Sequence, residues 1–387
     1  MTTDVRHGNI YFALNVKRLD ARVVELVDSL ASGASARKGV RVRLPPRAPT
    51  ERDTPLACLS FLSPGGPAAH LNTQRIANME KQTITIGLPR ALLYYRYYAL
   101  WRTFFQELDI KVAVSTPTDR DILDRGTALA IDEACLSLKI YLGHVAALIG
   151  KCDYILVPRV SNFGRHRNMC TRFESTPDLV RSVFRDSDQS FLSYEVDEEQ
   201  KKTEKDAFLD LGKRLGCPPK AVKRAYKQAK KAEAAHHKAR VQRYEQQYKR
   251  DGLKVLIAAH SYVMEDPYMG RPVTDYLKRV GVIPLRADMV DRDGALKKGR
   301  ELSPTCKWEI SREILGGIVQ HKDDVNGIIL LSAFPCGPDA MVNELIARRV
   351  KGVPMLNLVL DSQSGTAGVE TRLESFIDII RFQEGKL

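Results

Sequence analysis

Cysteine is the residue type here with the most chemistry to offer, and three of the seven cysteines share a place in the sequence pattern. Cys336 lies in FPCGPDAMV, directly after the apolar run GIILLSA, and Pro, Gly, Pro and Asp then lead into the helix-periodic AMVNELIARRV. Cys135 lies in AIDEACLSLKIYLGH, at or just before a helix start. Cys170 lies in PRVSNFGRHRNMCTRF, on the loop that follows the strand-like DYILVPRV. Each thiol thus falls after a strand or at a helix start. Open parallel sheets keep their ligand crevice on that side, and a helix N-terminus favours an anion such as a thiolate. One such cysteine reads as a small buried hydrophobe; three from separate segments read as a set of soft ligands. They suit an iron-sulfur cluster better than zinc, whose structural sites use closely paired ligands. Three thiolates leave one iron of a 4Fe-4S cluster exposed, able to bind water or a substrate oxygen as a Lewis acid. Cys152 at a strand start, Cys217 in GCPP, Cys306 before a Trp-bearing helix and Cys58 near the amino end read as structural thiols.

The elements that must carry these residues follow an α/β order. TITIGL is a β-rich run that Pro89 ends, ALLYYRYYALWRTFFQELDI has helical spacing, and KVAVS is a second strand. A helical pattern over 136–149 then leads to DYILVPRV. A second unit begins with LKVLIAAH, which brings His260 to a strand's carboxyl end, and continues through VGVIPL, NGIILLSAF and PMLNLVLD to a closing helix after Gly368. The expected fold is α/β, with two Rossmann-like parallel-sheet lobes and a helical, basic insertion between them. The expected boundaries are 79–190 for the first lobe with Cys135 and Cys170, 191–252 for the helical arm, and 253–387 for the second lobe with Cys336. The site belongs in the crevice between the lobes.

At 387 residues and 44% apolar content the chain can fill two or three cores. No apolar run approaches the ~18 residues of a membrane span, and no signal-peptide pattern opens the sequence, so a cytoplasmic location is expected. The net charge of +13 is concentrated in 201–252, where sixteen Lys and Arg meet six Asp and Glu. That composition reads first as a solvated helical face, then as a surface for an acidic partner. Nucleic acid comes last, because no zinc-finger spacing or RNA-binding aromatic signature accompanies it. Residues 23–49 show neither helical nor strand periodicity and carry five Arg and Lys among small residues. VRLP at 42–45 can be written as the T-arm of a transfer RNA gene, ELVDSLASGA as its D-arm and anticodon arm, and PRAP as its acceptor stem. The expectation is a non-native or disordered extension, with translation starting at Met79.

IGLPRALLYYRYYALWRTFF, DEAC followed by LGHVA, NMC followed by PDLVR, AFPCGPD and PMLNLVLDSQSGTAGVETRLESFID together resemble the activase-related branch of the 2-hydroxyacyl-CoA dehydratase family. The resemblance runs from Ile84 onward and is least distinctive in the basic arm. It implies an iron-sulfur subunit that receives low-potential electrons from an ATP-dependent activase. In such systems a CoA thioester carbonyl becomes a ketyl radical and the 2-hydroxyl leaves. Related proteins carry a double-cubane 8Fe-9S cluster shared by two subunits and act as electron-transfer components or reductases; a non-catalytic docking partner for an activase is a further alternative. The resemblance assigns cluster ligation to Cys135, Cys170 and Cys336, and a second dehydratase-like subunit as partner. Ser137 and Thr171 stand where the family favours proline, and DSQSGTAG carries less acidic character than is usual there. There is no Walker A pattern, so ATP hydrolysis is not expected of this chain.

Other residues have functional and structural alternatives. His260 is the candidate catalytic group; a satisfied structural histidine is its bland counterpart. His144 reads as core, and Asp132, Glu133 and Asp339 as helix caps. Arg90 and Arg96, among the tyrosines of LYYRYYALW, could grip a CoA phosphate, although such a stripe usually packs. Arg165, His166 and Arg167 form a local basic patch beside Cys170 that could raise a cluster potential or meet an anionic substrate.

Overall fold

The computed structural model describes residues 84–385, all within one compact unit, Gln74–Leu387. The extension expected at 1–78, with its Met79 start and Cys58, lies outside the described residues.

The first lobe is built on β1 (Thr85–Leu88), β2 (Lys111–Val114), β3 (Tyr154–Leu156) and β5 (Ser190–Leu192), in the order β2-β1-β3-β5 with every pairing parallel. Its helices are α1 (Tyr94–Gln106), α2 (Arg120–Leu129), α3 (Leu136–Leu148) and α4 (Thr171–Val183). A two-stranded parallel sheet pairs β4 (Arg159–Asn162) with β6 (Glu195–Asp197). The second lobe repeats the design with β7 (Lys254–Ala258), β8 (Ile283–Arg286), β9 (Gly327–Ala333) and β10 (Met355–Leu360), ordered β10-β9-β7-β8 and all parallel. Every residue of β9 is buried, as expected for a central strand covered on both faces. In each sheet the chain steps to one side of its first strand and then to the other. This places a topological switch point beside β1 and β3 in one lobe and β7 and β9 in the other.

Two details depart from the sequence expectation. DYILVPRV is not one strand: Pro158 has no amide to give a ladder, and the chain breaks there into β3 and β4, which join different sheets. The helical arm does not begin at 191. Ser190–Leu192 and Glu195–Asp197 are strands that complete the first lobe's sheets, each too short for a period of two to show. Helix begins at α5 (Glu204–Arg214), capped by the Thr203 hydroxyl, and continues after GCPP as α6 (Pro219–Tyr248), with proline at its first position.

The arm is a strut rather than a projection. α6 buries Val222, Ala225, Ala229 and Glu233 and packs along α1. It also reaches the second lobe, where His237 Nε2 lies 3.0 Å from the Val290 carbonyl oxygen and Arg292 pairs with Glu233 at 3.1 Å. The second lobe's helices are α7 (Ser261–Met264), α8 (Gly270–Arg279), α9 (Arg292–Leu302), α10 (Glu309–His321), α11 (Gly337–Arg349) and α12 (Thr366–Gln383).

Candidate functional site: a thiol-lined cavity between the lobes

Cys135, Cys170 and Cys336 occupy the same local position, the N-cap, of α3, α4 and α11 respectively. His260 is the N-cap of the short α7. All four have extended backbones, and all four line one small cavity of about 40 Å³. The other walls are largely apolar, with Leu92, Leu138 and Phe173 from the first lobe and Trp308, Ile310 and Pro338 from the second. The repetition has a physical basis. Cys170, His260 and Cys336 each follow a parallel strand, whose carboxyl end turns into the next helix with the N-cap completing the turn, whereas Cys135 arrives on the loop from α2; N-caps of both lobes thus meet in the crevice.

Backbone hydrogen bonds stitch the cysteine loops across the lobes. The Leu136 amide, next to Cys135, donates to the Phe334 carbonyl at 2.8 Å, two residues before Cys336. Asn168, two residues before Cys170, donates to Lys307 O at 2.9 Å and accepts from the Glu309 amide at 2.8 Å. Close packing fixes α3 as well. A side chain on Gly126 would lie 1.9 Å from Lys139 O, and one on Gly143 would lie 2.0 Å from Ile122 O. Two glycines thus let α2 and α3 touch at the backbone, which sets the position of Cys135.

Burial pushes the Cys135 thiol up, an effect that the Leu138 amide partly offsets and the neighbouring Cys170 reinforces. Cys336 is pushed up strongly by burial and then by the Asp339 carboxylate. Cys170 thus bears on Cys135 and Cys135 on Cys336, while Arg172 on the cavity wall acts on Cys135 in the opposite direction. Asp339 is buried in the first turn of α11, and Cys336 holds the N-cap position. Its Oδ1 lies 3.2 Å from His260 Nδ1, and its Oδ2 is buried with no hydrogen-bond partner. His260 Nδ1 also lies 3.0 Å from the Tyr262 hydroxyl, and its ring stacks on Tyr262 with centroids 4.9 Å apart. Burial alone would lower the His260 pKa; the charge and hydrogen bond of Asp339, with the charges of Asp288 and Glu313, together outweigh it, and the net shift is upward.

Cys152, Cys217 and Cys306 do not line this cavity; their thiols lie 3.6, 3.8 and 3.9 Å from the nearby carbonyls of Leu148, Leu215 and Trp308. Arg96 is committed elsewhere, in a buried pair with Glu313 at 2.7 Å, so it is not available to a CoA phosphate. Tyr94, Tyr95 and Tyr97 are buried packing groups. Arg167 pairs with Glu309 at 2.8 Å, which leaves Arg165 and His166 as the exposed part of the basic patch. Asp132 and Glu133 are exposed in the turn before α3 and do not cap it, because Cys135 holds that position. His144 is fully buried, with its two ring nitrogens 2.9 Å from Ser115 Oγ and 3.0 Å from Thr118 Oγ1. Tyr262 and the His260–Asp339 contact were not read from the sequence. HSY was the local signal for the first, but the second spans 79 positions and only the fold reveals it.

Among the described residues, no group of three or more His, Cys, Asp or Glu side chains is disposed to hold a single metal ion. The thiols face one cavity from separate walls instead of meeting at one point. A zinc site needs all its donors about 2.0–2.3 Å from one centre, whereas the irons of a cluster are spread and accept more separated thiolates. The donor set, soft, triple and helix-capped, fits a cluster in this respect.

A two-lobed parallel α/β architecture with cysteine N-caps gathered on an interlobe cavity is the class that fold and site define. The chain belongs to the family described as the CoA enzyme activase uncharacterised domain (DUF2229), whose model matches residues 85–290. That span contains Cys135, Cys170 and His260, while Cys336 lies beyond it. No curated protein matches the chain. Two solved structures of the SBP FpvC from Pseudomonas aeruginosa, in complex with Mn2+ and Ni2+, are similar at 13% and 15% identity. They cover 79% of this chain and 100% and 98% of their own, with TM-scores of 0.25 and 0.24, and so weak a likeness carries no argument. Among the described residues no helix is long and apolar enough to cross a membrane.

Proposed function

We propose that the protein is the iron-sulfur subunit of a 2-hydroxyacyl-CoA dehydratase-like complex, with the cluster held by Cys135, Cys170 and Cys336. The observation that carries this is the placement of three cysteines, from three separate segments and both lobes, as N-caps on one cavity. Membership of a CoA enzyme activase-related family supports an ATP-dependent activase as the electron source, a second dehydratase-like subunit as partner and a CoA thioester as substrate. When bound, a 4Fe-4S cluster, or a double-cubane 8Fe-9S group shared with a second subunit, supplies one-electron chemistry and an exposed iron. The chain's own residues do the rest. Three helix N-termini offset thiolate charge, apolar walls limit water, and the Asp339 carboxylate holds a proton at His260 Nδ1 on the cavity wall.

Anaerobically purified protein should contain iron and acid-labile sulfide and show broad sulfur-to-iron absorption. Serine at Cys135, Cys170 or Cys336 replaces a soft thiolate with a hard hydroxyl, and each variant should lose most of its iron. Alanine at Cys152, Cys217 or Cys306 should leave iron content unchanged. Full iron retention in any of the three serine variants would remove that residue from the ligand set, and wild-type protein without iron would sink the proposal.

A further inference from the structure

The outer face of α6 takes no part in the cavity and carries a charge pattern that core packing does not require. At about 100° per residue, Lys220, Lys223, Arg224, Lys227, Lys231 and Lys238 fall within roughly 60° of one line along the helix. The buried Val222, Ala225, Ala229 and Glu233 fall on the opposite side. All six cations are exposed, and none forms an ion pair among the described residues. The stripe runs for about 27 Å, given a rise of about 1.5 Å per residue. The helix has two carboxylates; Glu233 is turned inward against Lys230 and Arg292, and Glu245 lies beyond the stripe. Lys230 and Arg240, by contrast, are tied to Glu204 and Glu265 on the inner side. The helix therefore separates its cations into those that hold the fold and those that do not.

An exposed face of like charges repels itself and costs helix stability, because i,i+3 and i,i+4 pairs of the same sign are unfavourable. We propose that this face docks an acidic protein surface, one presenting Asp and Glu along a strip of similar length. Charge complementarity selects that partner. Five of the six cations are lysines, compact point charges suited to scattered carboxylates, rather than the arginine forks that grip phosphates in two-pronged fashion. No aromatic side chain on the stripe offers a base a stacking surface. The inference does not depend on a cluster in the cavity.

The test uses the full chain and poly-L-glutamate as the acidic probe, with a DNA duplex of about 20 base pairs as the rival, at low and physiological salt. Lys223→Glu/Lys227→Glu/Lys231→Glu should weaken poly-L-glutamate binding at least about tenfold at low salt, and the corresponding triple Gln variant should do so by less. Lys111→Glu/Lys151→Glu/Lys351→Glu changes the net charge equally at exposed sites elsewhere and should alter binding less than about twofold. Thermal melting no lower than that of the wild type in each variant separates lost binding from lost folding. Equal losses in the two Glu variants, no loss in the stripe variant, or tighter stripe-dependent binding of the duplex would each overturn the proposal.

Discussion

A cysteine at an N-cap cannot do what serine or aspartate does there, and that makes the repeated choice informative. Ser, Thr, Asp and Asn satisfy an orphan amide at this position, while the sulfurs of Cys135 and Cys336 meet the Leu138 and Asp339 amides only as weak acceptors, short of a full capping hydrogen bond, and Cys170 makes none, which forgoes up to roughly 1 kcal/mol of helix stability each. Elsewhere the chain caps in the ordinary way, with Asp119 accepting from Ile122 N and Asp291 from Gly294 N. His144 illustrates the opposite kind of residue, a polar group fully used by the fold. Burial holds its pKa down at about 4, with the Arg90 charge contributing in the same direction. The unfolded chain takes up this proton near pH 6.5 and the folded one only near 4. Stability should therefore be fully present above pH 6.5 and fall by about 3 kcal/mol as pH drops to 4. Chemical denaturation at pH 7 and pH 4.5 should show a steeper loss in wild type than in His144→Gln, which has no proton to gain. Equal slopes would mean that the imidazole is not held neutral.

At the scale of elements, the cavity depends on how closely helices approach. α2 and α3 meet at Gly126 and Gly143, and the loop between them delivers Cys135. Gly143→Ala places a methyl group about where the Ile122 carbonyl oxygen sits, so α3 must shift; a cost of about 1–3 kcal/mol is expected, together with reduced iron content. Gly337→Ala, at the start of α11 with nothing within 4 Å of the added carbon, should leave iron content unchanged. Iron loss from the second variant but not the first would contradict this account. Much of this level was legible in the sequence: apolar runs marked β7 and β9, and the breaks after them put His260 and Cys336 at strand ends. What stayed hidden depended on distant partners. β5 and β6 are three residues each and are strands because β3 and β4 accept them. Asp339 was read as a cap from its local sequence, but its fate is set by His260 across the fold. Likewise, nothing in LYYRYYALW says that Arg96 will meet Glu313 217 positions away.

For the described molecule as a whole, the question is whether two lobes with separate sheets unfold as one. Besides the backbone hydrogen bonds between the cysteine loops and the Arg167–Glu309 pair, three contacts couple them. α6 lies on both, Thr118 Oγ1 of the first lobe donates to Asp266 Oδ2 of the second at 2.5 Å, and Arg96 on α1 pairs with Glu313 on α10. The last is the most consequential, because both side chains are nearly inaccessible and Glu309 joins the cluster. Removing one member of such a pair strands the other charge away from water, at a cost of about 3–5 kcal/mol. The protein carries its own reporters: its two tryptophans are Trp101, in the first lobe, and Trp308, at the start of α10 in the second. Single-tryptophan variants made by Trp308→Phe or Trp101→Phe then follow one lobe each. In otherwise unaltered protein the two denaturation curves should coincide, as they must for one cooperative unit. Glu313→Ala in each background should move both midpoints to lower denaturant and pull the curves apart, because Arg96 then keeps only its longer contact to Glu309, at 3.4 Å, and the junction that makes the lobes one loosens. If both curves shift together by the same amount, the remaining interlobe contacts suffice to couple the lobes. If they are already separate without the substitution, the cavity lies between independently folding halves, and a partner or a cluster would be needed to hold its cysteines together.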